Sequence, residues 1–226
     1  MISRLKLWVA PIILLLVLLS CNLPRPNRET SPGISSPPAQ IPGTQEQAGS
    51  PRDLSAARLT QADLPAGFEP LSEQEMANLG FSINRLLQGI STNLSNARPQ
   101  NYAAYLNPNT NEVVVTSIVA PLTVLEQAAF DIYLSNPQRV LGDMSQGAAG
   151  QQLELDESSG TVGNSSLGVS TRIEGPLFNL AGGGIISRRG EAIQIAMHFY
   201  IDGTPPAVTA LQVAQIVDNK LEAAMR

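Results

Sequence analysis

The stretch Ala192–Ile201, which reads Ala-Ile-Gln-Ile-Ala-Met-His-Phe-Tyr-Ile, gives the clearest indication of the fold. Alternation of large apolar residues with other residues over this length predicts a β-strand with one side in the core. We expect the core side to consist of Ile193, Ile195, Met197, Phe199 and Ile201. On the opposite side, expected to be a polar and partly hydrated sheet surface, lie Ala192, Gln194, Ala196, His198 and Tyr200.

Two more strands are predicted upstream. Residues 167–173 alternate in the same way, and residues 178–188 form a second apolar run that contains Gly182-Gly183-Gly184. A glycine run inside a strand indicates either a β-bulge or a place where another backbone packs closely. Arg188-Arg189-Gly190-Glu191 then supplies a turn. The two arginines could bind a carboxylate or phosphate in a bidentate manner, but we expect both to be solvated at its tip.

A closing helix follows the last strand. It begins either near Thr204 or at the capping box that Thr209 forms with Gln212. Helical spacing then places these apolar residues on one side: Val208, Leu211, Ala214, Val217, Leu221 and Met225.

The first half of the folded part combines helices with a hairpin. Thr60 to Pro65 reads as a brief capped turn, and Ser72 with Glu75 forms a capping box ahead of an amphipathic helix over residues 76–90. Residues 102–106 and 113–119 flank a cluster of turn formers and predict a hairpin. A further capping box, Thr123 with Glu126, opens a helix that ends at Asn136-Pro137. That helix carries Leu125, Ala128, Ala129, Ile132 and Tyr133.

This order of elements lacks the strict βαβ alternation of a parallel sheet. It predicts an α+β fold, with a single domain over residues 53–226 in which an antiparallel sheet is covered on one face or both by helices. We expect a signal peptide over residues 1–20 and a disordered Pro/Ser-rich tether over residues 21–52 to precede this domain.

The amino terminus has the layout of a secretory signal. Arg4 and Lys6 precede an apolar run over residues 7–19, and Ser20 precedes Cys21, which is the only cysteine. The ending Leu18-Leu19-Ser20-Cys21 resembles the bacterial lipobox. That resemblance implies cleavage before Cys21, a diacylglycerol on its thiol and, in most cases, acylation of the freed amine.

Two other interpretations of this terminus fit the sequence less well. Thirteen helical residues rise only about 20 Å against a hydrocarbon core of about 30 Å, so the run is short for a transmembrane anchor. An ordinary secretory signal would leave Cys21 as a free thiol, which is uncommon in oxidising compartments.

Most of residues 60–226 also resembles a loose class of uncharacterised bacterial lipoproteins. The resemblance rests on residues 63–68, 162–166 and 185–193, together with the amphipathic carboxyl-terminal helix. It implies no reaction and transfers no catalytic residue. The element order is also compatible with the fold shared by a photosystem extrinsic subunit and small nuclear-transport regulators, an analogy at the level of the fold alone.

Charge argues against a nucleic-acid partner. The chain has 14 Lys and Arg against 19 Asp and Glu, a net charge of −5, and cleavage before Cys21 would remove Arg4 and Lys6 as well. Phosphate binding requires clustered basic residues, and Arg188-Arg189 is the one adjacent basic pair in residues 53–226. We expect no nucleic-acid partner and membrane attachment through lipid rather than through charge.

Few residues suggest chemistry. His198 is the only histidine, so zinc and copper sites built from Cys and His are excluded by count, and no nucleophile elbow accompanies it. The spacing of Glu154, Asp156 and Glu157 does not match a calcium loop, so we expect these three residues to lie in a solvated loop, and Asp143 adds no ligand pattern. A phosphate cradle at Gly182-Gly183-Gly184 would require a following helix. We expect no catalytic residue, no cofactor and no metal site.

Three functional hypotheses remain open. The leading one is a lipid-anchored extracytoplasmic binding or accessory module, held in the cell membrane or outer membrane, that contacts a protein partner or a lipid-like ligand. The second is an extracytoplasmic hydrolase that uses His198 with a serine. The third is an accessory subunit of a membrane protein complex.

Overall fold

A seven-stranded antiparallel sheet forms the centre of the domain. The computed structural model describes residues 52–72, 74–75, 98–147, 152–156, 160–174 and 179–226. The strands are β1 (Glu69–Pro70), β2 (Arg98–Asn107), β3 (Glu112–Ala120), β4 (Gln152–Leu155), β5 (Ser165–Ile173), β6 (Leu180–Arg189) and β7 (Ala192–Ile201). They lie in the order β1-β2-β3-β7-β6-β5-β4, and every neighbouring pair is antiparallel.

Helices pack on both faces of this sheet. They are α1 (Val124–Leu134), α2 (Pro137–Gly147) and α3 (Ala210–Met225), accompanied by two short 3-10 turns at Ser55–Ala57 and Gln61–Asp63. One hydrophobic cluster joins α3 and the first 3-10 turn to the sheet, and the other joins α1 and α2 to the opposite face. The α+β prediction is therefore confirmed, and the sheet is covered on both faces.

Strand β7, which contains the alternating stretch Ala192–Ile201, lies at the middle of the sheet, and both of its sides are largely buried. Ile193 and Ile195 lie in the core, as predicted, and the structure places them on the side of α1, while Ala192 and Ala196 pack toward α3. The prediction that His198 lies on a hydrated surface is wrong, because helices cover both faces of the sheet here. Gln194 and His198 are each 1% exposed.

Three predicted capping boxes are confirmed by the hydrogen bonds that define them. The Thr123 hydroxyl accepts the Glu126 N–H at 3.2 Å, the Thr209 hydroxyl accepts the Gln212 N–H at 3.2 Å, and the Ser72 hydroxyl accepts the Glu75 N–H at 3.3 Å. Thr209 rather than Thr204 therefore begins the closing helix. The capped turn after Thr60 is also present.

Some elements had no clear counterpart in the sequence pattern. Asn136-Pro137 does end α1, but Pro137 is also the first residue of α2, a position that its fixed φ favours. The segment Gln152–Leu155, expected to be loop, pairs with β5 as an edge strand. Cys21, the tether and the helix predicted over residues 76–90 lie outside the described residues.

The glycine run in β6 allows close packing and contains no bulge. The register with β5 and β7 is continuous through Gly182, Gly183 and Gly184. A Cβ at Gly182 would lie 2.7 Å from Cδ1 of Phe199 and 2.9 Å from the carbonyl oxygen of His198. Of the two alternatives from the sequence, the bulge is wrong and the close approach of neighbours is correct.

Candidate functional site

His198 is held in a closed hydrogen-bonded pair. Its Nε2 lies 3.0 Å from Oε2 of Glu112, and both side chains are almost fully buried, at 1% and 2% exposure. The Ala207 N–H donates to both Glu112 oxygens, at 3.1 and 3.0 Å. The Tyr200 ring stacks on the imidazole with 5.1 Å between centroids.

This arrangement favours a neutral imidazole. Burial lowers the pKa of His198 below its ordinary value of 6.5, and the hydrogen bond to the Glu112 carboxylate offsets only part of that effect. A neutral ring that donates its Nε2 proton links β7 to β3, while Ala207 ties the same carboxylate to the segment that precedes α3. The contacts give the hydrolase hypothesis no support, because a general base must reach a substrate.

A shallow, open groove of about 520 Å³ lies near this pair but does not include it. It runs between the end of the second 3-10 turn and α3 with the residues that precede it. The polar residues that line it are Asp63, Gln212, Gln215 and Asn219. Lys220 pairs with Asp63. Partial burial acts to raise the pKa of that carboxyl, but the hydrogen bonds from Lys220 and Thr60 together bring it below its ordinary value.

The other acidic residues do not converge on a metal. Glu154 lies exposed in β4, Asp156 follows it, and Glu157 is outside the described residues. Asp143 lies on α2, where its Oδ2 is 3.9 Å from Nε of Arg139. Among the residues that the structure describes, no group of three His, Cys, Asp or Glu side chains could hold a metal ion.

Arg188 and Arg189 are bound within the domain, so the prediction that they are solvated is wrong. Because neighbouring residues of a strand point to opposite faces, Arg188 reaches Asp131 on α1 and Arg189 reaches Asp218 on α3. Nη2 of Arg188 lies 2.6 Å from Asp131 Oδ2, and Nη2 of Arg189 lies 2.5 Å from Asp218 Oδ2. Each arginine therefore holds one helix layer against the sheet.

The strongest candidate for a contact surface is the outer side of α1. Val124, Leu125 and Ile132 are 67%, 78% and 70% exposed, and they are the large hydrophobic side chains with high exposure among the described residues. Ala128 and Ala129 lie exposed between them. We call these five residues the α1 face. Exposed apolar groups that form a continuous patch mark sites of interaction.

The α1 face carries no charge, because both acidic residues of α1 are engaged elsewhere. Glu126 accepts hydrogen bonds from the Thr123 N–H and hydroxyl at 2.8 and 2.9 Å. Asp131 binds Arg188 and also accepts a hydrogen bond from the Ser165 hydroxyl at 2.6 Å. The Arg188 contact is the main reason that the pKa of Asp131 is lowered.

The α1 face begins near the point where the described domain starts. Arg52, the first described residue, has its Nε 3.7 Å from Oε1 of Glu191 and donates from Nη1 to the Met225 carbonyl at 3.1 Å. The Glu191 carbonyl oxygen in turn accepts the Leu122 N–H at 2.8 Å. Leu122 precedes Val124 by two residues, so Arg52 and the start of α1 share one neighbour.

The sequence pattern located this helix but not its orientation. Of the five residues expected along it, Tyr133 is buried whereas Leu125, Ala128, Ala129 and Ile132 are exposed. The core side of α1 is formed instead by Glu126, Phe130, Tyr133 and Leu134. Because α1 has apolar residues on both sides, helical spacing alone could not show which side faces the sheet. The informative signal is that α1 has more apolar residues than one buried side requires, which indicates a second apolar side.

Comparison with known proteins supplies no functional assignment, because no protein-family model and no curated protein matches the chain. No helix among the described residues is long and apolar enough to cross a membrane. Cys21, the predicted lipidation site, lies outside those residues.

Proposed function

We propose that this protein is a lipid-anchored extracytoplasmic module that acts by binding or supporting another component at a membrane surface. The structural observation that carries this proposal is the exposed, uncharged α1 face. The sequence observation that supports it is the pattern Leu18-Leu19-Ser20-Cys21, which resembles the lipobox.

Contact rather than catalysis fits the way in which the polar side chains are used. The only histidine is enclosed with Glu112, and the paired arginines bind Asp131 and Asp218 within the domain. These groups join strands to helices. The α1 face, by contrast, leaves large apolar side chains exposed, and covering them with another surface would be favourable.

The proposed anchor sets where such a surface would lie. Two acyl chains on Cys21 suffice for stable attachment, because each buried methylene contributes about 0.8 kcal/mol. The residues between Cys21 and Arg52 span about 30 Å as a flexible coil and at most about 100 Å when extended. The domain would therefore work close to the bilayer that holds its anchor.

Membrane fractionation tests the proposal. The full-length chain and its Cys21→Ala variant are produced in a bacterium that processes lipoproteins, and the protein in the membrane pellet is quantified. We expect the wild type in the pellet and the variant in unprocessed or soluble forms. Ser20→Ala is the matched control, because it keeps a small residue before the cysteine and should leave the protein in the pellet.

Two results would contradict the proposal. If acylation is unchanged in Cys21→Ala, the lipid is attached to a residue other than Cys21. If the processed wild-type protein is fully soluble, it is not anchored to a membrane. A second protein that co-purifies with this one from detergent extracts would instead favour the hypothesis of an accessory subunit, still anchored to the membrane.

A further inference from the structure

We infer that the α1 face docks directly on the lipid bilayer, so that the domain contacts the membrane through α1 as well as through its lipid anchor. This inference rests on the proposed function, since it requires the anchored form. It identifies lipid as the component that covers Val124, Leu125, Ala128, Ala129 and Ile132.

The first argument is position. The chain that leads back to Cys21 enters the domain at Arg52, which contacts Glu191, and Glu191 also accepts the hydrogen bond from Leu122. Arg52 also donates to the carbonyl of Met225, the last residue of α3, so the membrane-linked end of the chain joins the domain at the end of the sheet where α1 starts and α3 ends. Of the surfaces that could cover the α1 face, the bilayer is the one to which the proposed lipid anchor attaches the chain.

The second argument is charge. A helix that lies in the interface of a membrane buries its apolar side at the level of the headgroups and acyl chains. Carboxylates on that side would be repelled by lipid phosphates, but Glu126 is turned into its cap and Asp131 is bound by Arg188. The five residues of the α1 face thus include no acidic side chain, and the carboxylate of the neighbouring Asp131, which is 39% exposed, is paired with Arg188, although the chain as a whole has a net charge of −5.

The third argument is shape. Leu125 and Ile132 are two helical turns apart, so the face is about 10 Å long, and the small residues Ala128 and Ala129 lie between its larger ends. A single helix of 11 residues presents less surface than a stable protein interface, which buries about 800 Å² on each partner. A supplementary contact that adds to a lipid anchor fits this size better than an independent protein interface.

A single-tryptophan experiment tests the inference. Trp8 is the only tryptophan, so the full-length chain with Trp8→Phe and Leu125→Trp reports on the α1 face alone. The protein is extracted from membranes, reconstituted into phosphatidylcholine vesicles, and measured with ordinary and with brominated acyl chains. The matched control carries Trp8→Phe and Gln215→Trp, because Gln215 is exposed on α3, the helix of the opposite sheet face.

We expect brominated chains to quench the tryptophan at position 125 by at least about twofold and to leave the one at position 215 unchanged, because only an interfacial helix reaches the acyl boundary. Vesicle flotation is measured on the same samples. Protein that floats without quenching at position 125 overturns membrane docking while the proposed anchor stands. Protein that does not float overturns both.

The same samples separate the other occupants. A blue-shifted emission at position 125 without quenching means that protein covers the α1 face, either this chain itself, a second copy or a partner, and overturns docking on lipid. Equal quenching at positions 125 and 215 means that the domain contacts lipid in no preferred orientation, which also overturns docking through the α1 face.

Discussion

Arg188 binds Asp131 through two hydrogen bonds, from Nε to Oδ1 at 2.8 Å and from Nη2 to Oδ2 at 2.6 Å. This paired geometry is the strong form of an arginine–carboxylate contact. The next residue, Arg189, makes the equivalent contact with Asp218 on the other side of the sheet. The end of the β6–β7 hairpin thereby holds both helix layers.

A double-mutant cycle on Arg188→Met and Asp131→Asn measures the first of these contacts. Because Arg188 is mostly buried at 12% exposure while Asp131 is 39% exposed, we expect a coupling energy of about 1 kcal/mol in the free energy of unfolding. Urea unfolding of the wild type, both single variants and the double variant checks it. Strictly additive effects would show that the pair contributes nothing.

Ile195→Asp tests which side of β7 faces the core. Ile195 is 3% exposed, and the variant loses about 1.5 to 3 kcal/mol of apolar burial while placing a charge in the core, so we expect the domain to unfold. Ile132→Asp is the control: Ile132 is 70% exposed, and its thermal midpoint should stay close to that of the wild type. Circular dichroism melts distinguish the two, and a normal melt for Ile195→Asp would contradict the packing of β7.

Gly182→Ala tests the close packing in β6. The added Cβ would meet Phe199 and the His198 carbonyl oxygen at less than 3 Å, so we expect a loss of about 1 to 3 kcal/mol. Gly142→Ala is the matched change, because its Cβ meets nothing within 4 Å and Gly142 lies inside α2. That variant should gain about 0.5 to 1 kcal/mol, and a loss for both or for neither would be inconsistent with the structure.

The buried histidine predicts how stability depends on pH. The pKa of His198 is lowered in the folded domain, so the unfolded chain binds a proton first as the pH falls below about 6.5. Its contribution to stability is complete above that pH and is lost as the pH falls through the lower folded pKa, with a slope of at most about 1.4 kcal/mol per pH unit.

Urea midpoints at pH 7.5 and pH 5.5 measure this effect. His198→Gln keeps a side-chain N–H donor for Glu112 but cannot titrate, so the difference between its two midpoints should be smaller than that of the wild type. Equal differences for the two proteins would mean that His198 does not titrate differently in the folded and unfolded states.

Helix caps and strand alternation, which are local sequence patterns, were sufficient to predict the fold class. The capping boxes at Thr123 and Thr209 and the hairpin before α1 were all found, because each depends on residues a few positions apart. The alternation around Ile195 correctly predicted that this side of β7 faces the core. It could not show that α3 also covers the side with His198, because a second layer is a property of the tertiary structure.

The contact surface was harder to predict for the same reason. Arg188 and Asp131 are 57 residues apart, so no local pattern reveals that each neutralises the other. Leu125 and Ile132 look like core residues in a helix, and only the packing of Phe130 and Leu134 against the sheet shows that they face outward.

Intact-mass analysis of the protein extracted from membranes tests the central claim most directly. The account predicts a chain that begins at Cys21, without the first 20 residues, and that carries the added mass of two or three acyl chains. A chain that retains residues 1–20 and has no acyl mass would contradict the membrane placement on which both the proposed function and the role of the α1 face depend.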